Sequence, residues 1–345
     1  MQMLQPNPII VKELRSRMRG GRPYLILSGY LFGLCLICYG VIRIFEAQAQ
    51  SGTAIISAHV GQGLFAALAL AETLLITFLT PALTAGAVSS EREQLTYDLL
   101  LATPLRPGRI LSGKLIAALS YVLLLIFAAV PLGSVILLFG GVAPKDLLKV
   151  LLLLLAIALA AGMLGLLCST IAKRTLRATI MTYLIIMTLI VGAYLLVAVR
   201  TATTTFGPPS SSRLMAISPF GAMTSIVLQS AQAGGSGMVI DKAMMERSSM
   251  GGAMGGNVLL NMQPFSSLTY GLIDNNNVGG SVVQPMYRYA YVGYTLFSIA
   301  CYWLASHWVR PRRRWRLSLH DLLMAGVFGA VAAAGTYWLQ VWPWR

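Results

Sequence analysis

The sequence predicts an all-α integral membrane protein, a polytopic bundle of about seven transmembrane helices with a cytoplasmic N-terminus. Of its 345 residues, 57% are hydrophobic and only 11% are charged, whereas soluble proteins average about 25% charged residues. Apolar runs long enough to cross a bilayer recur along the chain, and Lys and Arg concentrate in alternate connections between them. We interpret residues 1–345 as one transmembrane domain.

Uncharged or nearly uncharged segments define the predicted spans. They lie at 23–42, 60–88, 115–140, 148–172, 178–199, 289–309 and 322–342. Each is close to or longer than the roughly 20 residues that an α-helix needs to cross the hydrocarbon core. The first begins too late, and follows too much charge, for a cleaved signal peptide, so we expect a retained helix.

The Lys and Arg residues of the connections indicate the orientation. With a cytoplasmic N-terminus, most of the 26 basic residues lie in inner segments, including the cluster RPRRRWR at 310–316. The positive-inside rule therefore favours this orientation, and an odd number of spans places Arg345 outside. Basic residues in such loops contact anionic headgroups, so the partner they indicate is membrane lipid rather than nucleic acid.

The segment 201–285 is predicted to be an outer loop, because it is rich in Gly, Ser, Met and Asn. Within it, 214–232 is uncharged and almost long enough to cross, but crossing would place the basic cluster 310–316 outside. Its polar residues and its Pro-Phe-Gly break favour a re-entrant or interfacial turn. The Met repeats of the loop leave open a soft-metal site such as Cu(I), with low complexity preferred, and we predict no metal site.

Residues 6–21 form a predicted basic amphipathic helix. Asn7 can cap it, with Pro8 at its first position, and Gly20 can end it. Its apolar and basic residues lie on different faces: Ile10, Leu14 and Met18 against Lys12, Arg15 and Arg19. Such a helix lies in the inner interface and contacts lipid headgroups. A solvated flank that only sets the orientation is the alternative.

A short cytoplasmic helix is predicted at 89–104, between the second and third spans. Ser90 and Glu93 fit a capping box, and Pro104 ends the helix. An apolar ridge lies beside this charged flank, at Leu95, Leu99, Leu100 and Leu101. The pattern is typical of a helix that binds in a groove on a partner, although a helix lying on the membrane would show it too.

Residues 106–115, RPGRILSGKL, match most of the P-loop pattern of nucleotide-binding proteins. Gly108, Gly113 and Lys114 fit, but Leu115 replaces the Ser or Thr that holds magnesium. A run long enough to cross a bilayer follows at once. We therefore interpret the segment as a tight basic turn leading into a membrane helix.

Glu72 is the sole charge well inside a predicted span. A carboxylate near the bilayer centre is costly, so it should face the bundle or be protonated, and we assign it to a candidate translocation path as a contact for cargo or a proton. A polar link to Thr73, Thr77 or a facing helix is the alternative. The four cysteines lie in apolar runs and indicate packing residues, at Cys35, Cys38, Cys168 and Cys301.

The stretch SSEREQLTYDLLLATPLRPGRILSGKL, residues 89–115, resembles the segment after the second membrane helix in type-2 permeases of ATP-binding-cassette (ABC) transporters. The residues that match the family pattern are Glu91, Arg92, Glu93, Thr96, Asp98, Leu99, Leu100, Leu101, Ala102, Thr103 and Pro104. The start NPIIVKELRSRMRG resembles the family's interfacial connecting helix, and ISPFG at 217–221 resembles its external re-entrant element.

The resemblance implies a permease subunit of an ABC exporter in the plasma or inner membrane. ATP and magnesium would be held by a separate nucleotide-binding subunit that binds the coupling helix at 91–104, so this chain would need no cofactor of its own. It would act with a second permease, as a homodimer or a related heterodimer. Two departures stand out: Leu95 replaces the family's usual glycine, and the helix at 322–342 is additional.

Two other classes stay open. The chain could be a non-transporting anchor that uses ATPase strokes for mechanical work across the membrane. An intramembrane enzyme is less favoured, because the sequence contains no HExxH, GxSxG or paired-carboxylate motif. Its three histidines are scattered near loops, at His59, His307 and His320.

Overall fold

The computed structural model describes residues 13–15, 20–50, 57–95, 107–203, 216–233, 273–274, 282–283, 286–308 and 319–341. Its main helices are α1 (Arg22–Gln50), α2 (Ser57–Thr84), α3 (Ser89–Glu93), α4 (Pro107–Phe139), α5 (Pro144–Ile171), α6 (Thr175–Thr203), α7 (Pro219–Ala233), α8 (Met286–Trp308) and α9 (Leu319–Val341). A two-residue antiparallel pairing joins β1 (Ile273–Asp274) to β2 (Val282–Val283). The predicted helical class is confirmed.

Among the residues that the structure describes, five helical segments are long and apolar enough to cross a membrane. They are Pro23–Ala47, Val60–Glu93, Leu111–Phe139, Pro144–Ile171 and Thr175–Leu196, which cover the first five predicted spans. The last two predicted spans coincide with α8 and α9, each 23 residues long. Helices are therefore present at all seven predicted positions, while the count of seven crossings stays a prediction.

The centre of the bundle is the contact between α2 and α5. Phe65 and Ile76 of α2, with Leu153 and Leu154 of α5, belong to one buried cluster. Near the C-terminal ends of both helices, Gly165 of α5 faces Thr84 of α2 at close range. A Cβ atom at Gly165 would collide with the Thr84 hydroxyl. Small residues allow this kind of approach between membrane helices, where packing drives association.

The segment predicted as a re-entrant or interfacial turn forms α7, a helix of 15 residues. At 1.5 Å per residue it is about 22 Å long, shorter than the roughly 30 Å hydrocarbon core. Ala222, Met223 and Ile226 are fully buried. The Tyr287 amide of α8 donates to Ser225 Oγ at 3.1 Å. This burial favours a re-entrant element over an interfacial turn; most of the rest of 201–285 lies outside the described residues.

At the N-terminal end of α5 an ion pair within that helix lies against two tyrosines of α8. Lys149 Nζ lies 2.7 Å from Asp146 Oδ1 and 5.7 Å from the centre of the Tyr287 ring. The Tyr291 hydroxyl donates to the Lys149 carbonyl at 2.6 Å. Asp146 is in the first turn of α5, where a negative charge favours the helix dipole. This cluster fixes the α5–α8 contact at the end of α5 opposite to Ile171.

Candidate functional site

The predicted partner-binding segment begins as a continuation of α2. Between α2 and α3 the backbone keeps helical hydrogen bonds, and the Ala85 amide donates to the Pro81 carbonyl at 2.8 Å. The Ser90 amide and hydroxyl both donate to the Gly86 carbonyl. No side chain caps α3. The predicted capping box of Ser90 with Glu93 is therefore wrong, because α3 has no free N-terminus for such a box to satisfy.

Ser169, near the C-terminus of α5, holds the start of α3. Its buried hydroxyl oxygen accepts the amides of Val88 and Ser89, each at 2.9 Å. The Ser169 hydroxyl also donates to Ser89 Oγ at 3.3 Å. Two buried backbone donors are thus satisfied by one side chain, which makes Ser169 a fixed attachment of the segment to α5.

Lys114 of α4 connects two segments that the sequence predicts on the same side of the membrane. Its ammonium lies 2.6 Å from Glu91 Oε1 of α3 and 3.3 Å from Glu13 Oε1 of the N-terminal segment. The Lys114 side chain is only 4% exposed. A buried ammonium with two carboxylates is held by charge and geometry together. The structure therefore brings the predicted coupling helix and the predicted interfacial helix to one residue of α4.

Glu93 contacts the N-terminus of α6 instead of α3. Its carboxylate accepts the Thr175 amide at 2.9 Å and the Thr175 hydroxyl at 2.6 Å. A carboxylate at this position satisfies a free amide of the first turn and favours the helix dipole. With Ser169 and Lys114, this contact joins α3 to three helices, α4, α5 and α6.

Leu95 ends the helical segment with a left-handed backbone, at a φ of 58°. This is the position where the resembled family has glycine, and the Leu95 side chain is 84% exposed. The single helix predicted for 89–104 is thus wrong at this point, because α3 ends at Glu93 and the chain turns. The other predicted partner-binding residues, Thr96, Asp98, Leu99, Leu101 and Pro104, lie outside the described residues; Arg92 is half-buried in α3.

Leu95→Gly is expected to stabilise the chain. A non-glycine residue in the left-handed region costs about 1–2 kcal/mol, and part of the gain is lost to glycine's greater freedom when unfolded. We expect the midpoint of thermal unfolding to rise by about 1–3 °C. Leu95→Ala is the matched control, since it also removes the exposed side chain but keeps the strained backbone. Equal shifts in both variants would contradict the interpretation.

Five residues of the predicted interfacial helix are described: Glu13, Leu14 and Arg15, which are helical, and Gly20 and Gly21 at its end. Arg15 is exposed, as a headgroup-contacting residue requires. Gly20 has a φ of 101°, a conformation that favours glycine and fits its predicted role at the helix end. Lys12 and Arg19 lie outside the described residues.

Glu72 lies in the middle of α2 with 5% of its surface exposed. It lines a cavity between α2, α4 and α5. The Thr73 hydroxyl donates to the Ala69 carbonyl at 2.8 Å, and the Thr77 hydroxyl is buried without a partner among the described residues. The structure thus pairs neither threonine with Glu72, which disfavours the alternative of a polar link within α2.

The residues that resemble a P-loop lie inside a helix. Gly108, Gly113 and Lys114 all belong to α4, and the Lys114 ammonium is paired with two carboxylates. A phosphate-binding loop needs a loop of backbone amides ahead of the helix. The predicted tight turn is wrong, because the segment is already helical from Pro107; the helix predicted to follow it is present as α4.

Within the described ranges, no group of three or more His, Cys, Asp or Glu is arranged to hold a metal ion. All four cysteines are free thiols; Cys168 and Cys301 are buried, whereas Cys35 is exposed on α1. The Met-rich stretch of the outer loop lies outside the described residues.

Three contact residues were missed by the sequence analysis: Glu13, Ser169 and Thr175. Glu13 carries a usable signal, because it is the one acid among the basic residues of 6–21. Ser169 and Thr175 carry none, since serine and threonine at the ends of membrane helices are common and their partners lie about 80 residues away.

A family model described as ABC-2 family transporter protein matches residues 8–305. No curated protein and no solved structure matches the chain. The match covers α1 to α7 and nearly all of α8, and α9 lies beyond it.

Proposed function

This chain belongs to the ABC-2 family of transporter proteins, and we propose that it is the permease subunit of an ABC exporter driven by a separate nucleotide-binding subunit. Membership makes it a multi-pass membrane component of a transporter. We propose four further points: transport is outward, a separate ATPase drives it, the chain lies in the plasma or inner membrane, and it pairs with a second permease, identical or related. ATP and magnesium would be bound on the partner subunit.

The observation that carries the proposal is the attachment of α3. Glu91, Glu93 and the α3 backbone are bound by side chains of α4, α6 and α5 in turn, while α3 itself continues α2. A force applied to α3 would therefore reach four long helices at once. This is what a coupling element requires if a partner's closure is to change the conformation of the membrane bundle.

The test is co-expression of the tagged chain with an ABC nucleotide-binding subunit from a neighbouring gene. We expect the two to purify together in mild detergent and, after reconstitution, ATP-dependent movement of cargo. Loss of association would overturn the proposal. Association and ATP turnover without flux for any cargo tested would favour the mechanical anchor.

The proposed topology has seven spans, with the N-terminus and Arg312 in the cytoplasm and the 233–280 loop outside. In a background without the four native cysteines, Ser249→Cys should react with an impermeant maleimide in sealed cells. Arg312→Cys should react only after permeabilisation. Labelling at position 312 in sealed cells would overturn the seven-span topology.

Glu72→Gln is expected to lower flux at least several-fold while assembly with the ATPase persists. The substitution keeps the side-chain shape and removes a charge that lines a cavity in the bundle. Glu46→Gln is the matched control, because Glu46 is exposed and pairs with Arg43 at the end of α1. Unchanged flux in Glu72→Gln would remove Glu72 from the translocation path.

A further inference from the structure

The cavity that Glu72 lines has a volume of about 240 Å³ and lies between α2, α4 and α5. Its walls are apolar side chains such as Phe65, Ile126 and Leu154. Glu72 is the only charged residue among the described residues that line it. The site is therefore an apolar container with one acidic group.

The Glu72 carboxylate has no hydrogen-bond or ion-pair partner within the described part of the chain, although it is 95% buried (5% exposed). Unpaired buried carboxylates are unfavourable, because desolvation is not offset by a counter-charge or a donor. A cation in the cavity would supply both the counter-charge and the donor. The ligand that would complete this site is therefore a cation with a hydrogen-bond donor.

The cavity reaches the outside of the bundle beside the start of α5. Pro144 and Leu148 line it, and Leu148 is 56% exposed. An exposed leucine on a membrane-spanning helix contacts lipid chains. A ligand with an apolar body can therefore enter from the bilayer and keep that body in apolar surroundings while its polar end reaches Glu72.

We propose that this cavity binds an amphiphilic amine, with its ammonium group at Glu72 and its single alkyl chain against the apolar walls towards Leu148. That the amine is transported as cargo depends on the permease function proposed above. A free single-chain amine fits better than a two-chain aminophospholipid, because the volume is below the roughly 300 Å³ at which drug-sized pockets begin.

The test compares n-decylamine with 1-decanol, which differ in charge and hardly in shape. Binding of radiolabelled ligand is measured to the purified chain in phosphatidylcholine nanodiscs at pH 7, with empty nanodiscs subtracted. We expect decylammonium to bind at least tenfold more tightly than decanol, since hydrogen bonds to charged groups contribute at this level. Equal affinity for the two ligands in the wild-type chain would overturn the proposal without any variant.

Variants then locate the charge. Glu72→Gln should weaken decylammonium binding about tenfold or more and leave decanol binding unchanged. Glu72→Asp should retain part of the preference for the amine, and Glu46→Gln should retain all of it. A preference that survives Glu72→Gln would overturn the site.

Two further results separate this proposal from its alternatives. Phosphatidylethanolamine at a few mole per cent should not displace decylamine; complete displacement would assign the site to lipid and overturn the cargo. Because the binding assay uses the chain without an ATPase, a failure to associate with the ATPase would overturn the permease function and leave the binding result standing.

Discussion

Lys114→Met is expected to release α3 from α4 and to lower the ATP turnover of the assembled transporter at least tenfold. Lys114 is buried between Glu91 at 2.6 Å and Glu13 at 3.3 Å. Methionine keeps the length of the side chain but leaves two largely buried carboxylates facing each other. Removing one partner of a buried ion pair costs about 3–5 kcal/mol, and we expect a helix as short as α3 to move in response. Turnover and retained ATPase are measured after co-purification.

The control is the triple variant Lys114→Met, Glu91→Gln and Glu13→Gln, which removes the ammonium together with both carboxylates. It should recover most of the association, because replacing all members of a buried ionic group is far less costly than removing one. Lys149→Met breaks the ion pair with Asp146 at the other end of α5 and should leave ATPase association intact. If Lys114→Met and Lys149→Met behave alike, α3 is not the coupling element.

The double substitution Leu99→Asp with Leu101→Asp is expected to abolish association with the ATPase. The resemblance places these leucines as apolar anchors of the contact, with charged residues at its rim. Two carboxylates in an apolar contact would each remain unpaired and cost several kcal/mol. The long helices are untouched, so membrane insertion and pairing with a second permease should persist. Retained ATPase in mild detergent is the measurement.

Leu99→Met with Leu101→Met is the matched control, because methionine keeps the apolar character and approximate volume of both side chains. It should retain the ATPase. Full retention and normal turnover in the aspartate variant would remove the main reason for preferring an ABC permease to an anchor or an enzyme.

The helices could be predicted from the sequence because apolar length is a local property. Each predicted span coincides with a helix, and α1 even extends beyond its predicted end at residue 42 to Gln50. The structure of the connections between helices was harder to predict, because it depends on contacts between residues that are distant in the sequence. Glu93 fits a capping box with Ser90 by local rules, yet its carboxylate binds Thr175, 82 residues further along the chain.

The same limit applies to the candidate site. Leucine spacing predicts that the helix continues past Leu95, whereas the backbone turns there; the family's glycine was the available signal for this turn. Lys114 matched a phosphate-binding motif by spacing alone, and its two partners lie 23 and 101 residues away. Glu72 was the exception, because a single charged residue inside an apolar run can be recognised as a candidate site from the sequence alone.

The close approach of Gly165 to Thr84 brings the C-terminal ends of α2 and α5 together, with no room for a Cβ atom between them. We expect this contact to act as a pivot, about which the two helices rotate relative to each other. Thr84 and Glu72 are separated along α2 by about 18 Å, at 1.5 Å per residue, so a rotation of about 5° displaces the carboxylate by roughly 1.5 Å. A small angular change at α3 is thus enough to widen or narrow the cavity beside Glu72, with no helix sliding along its axis.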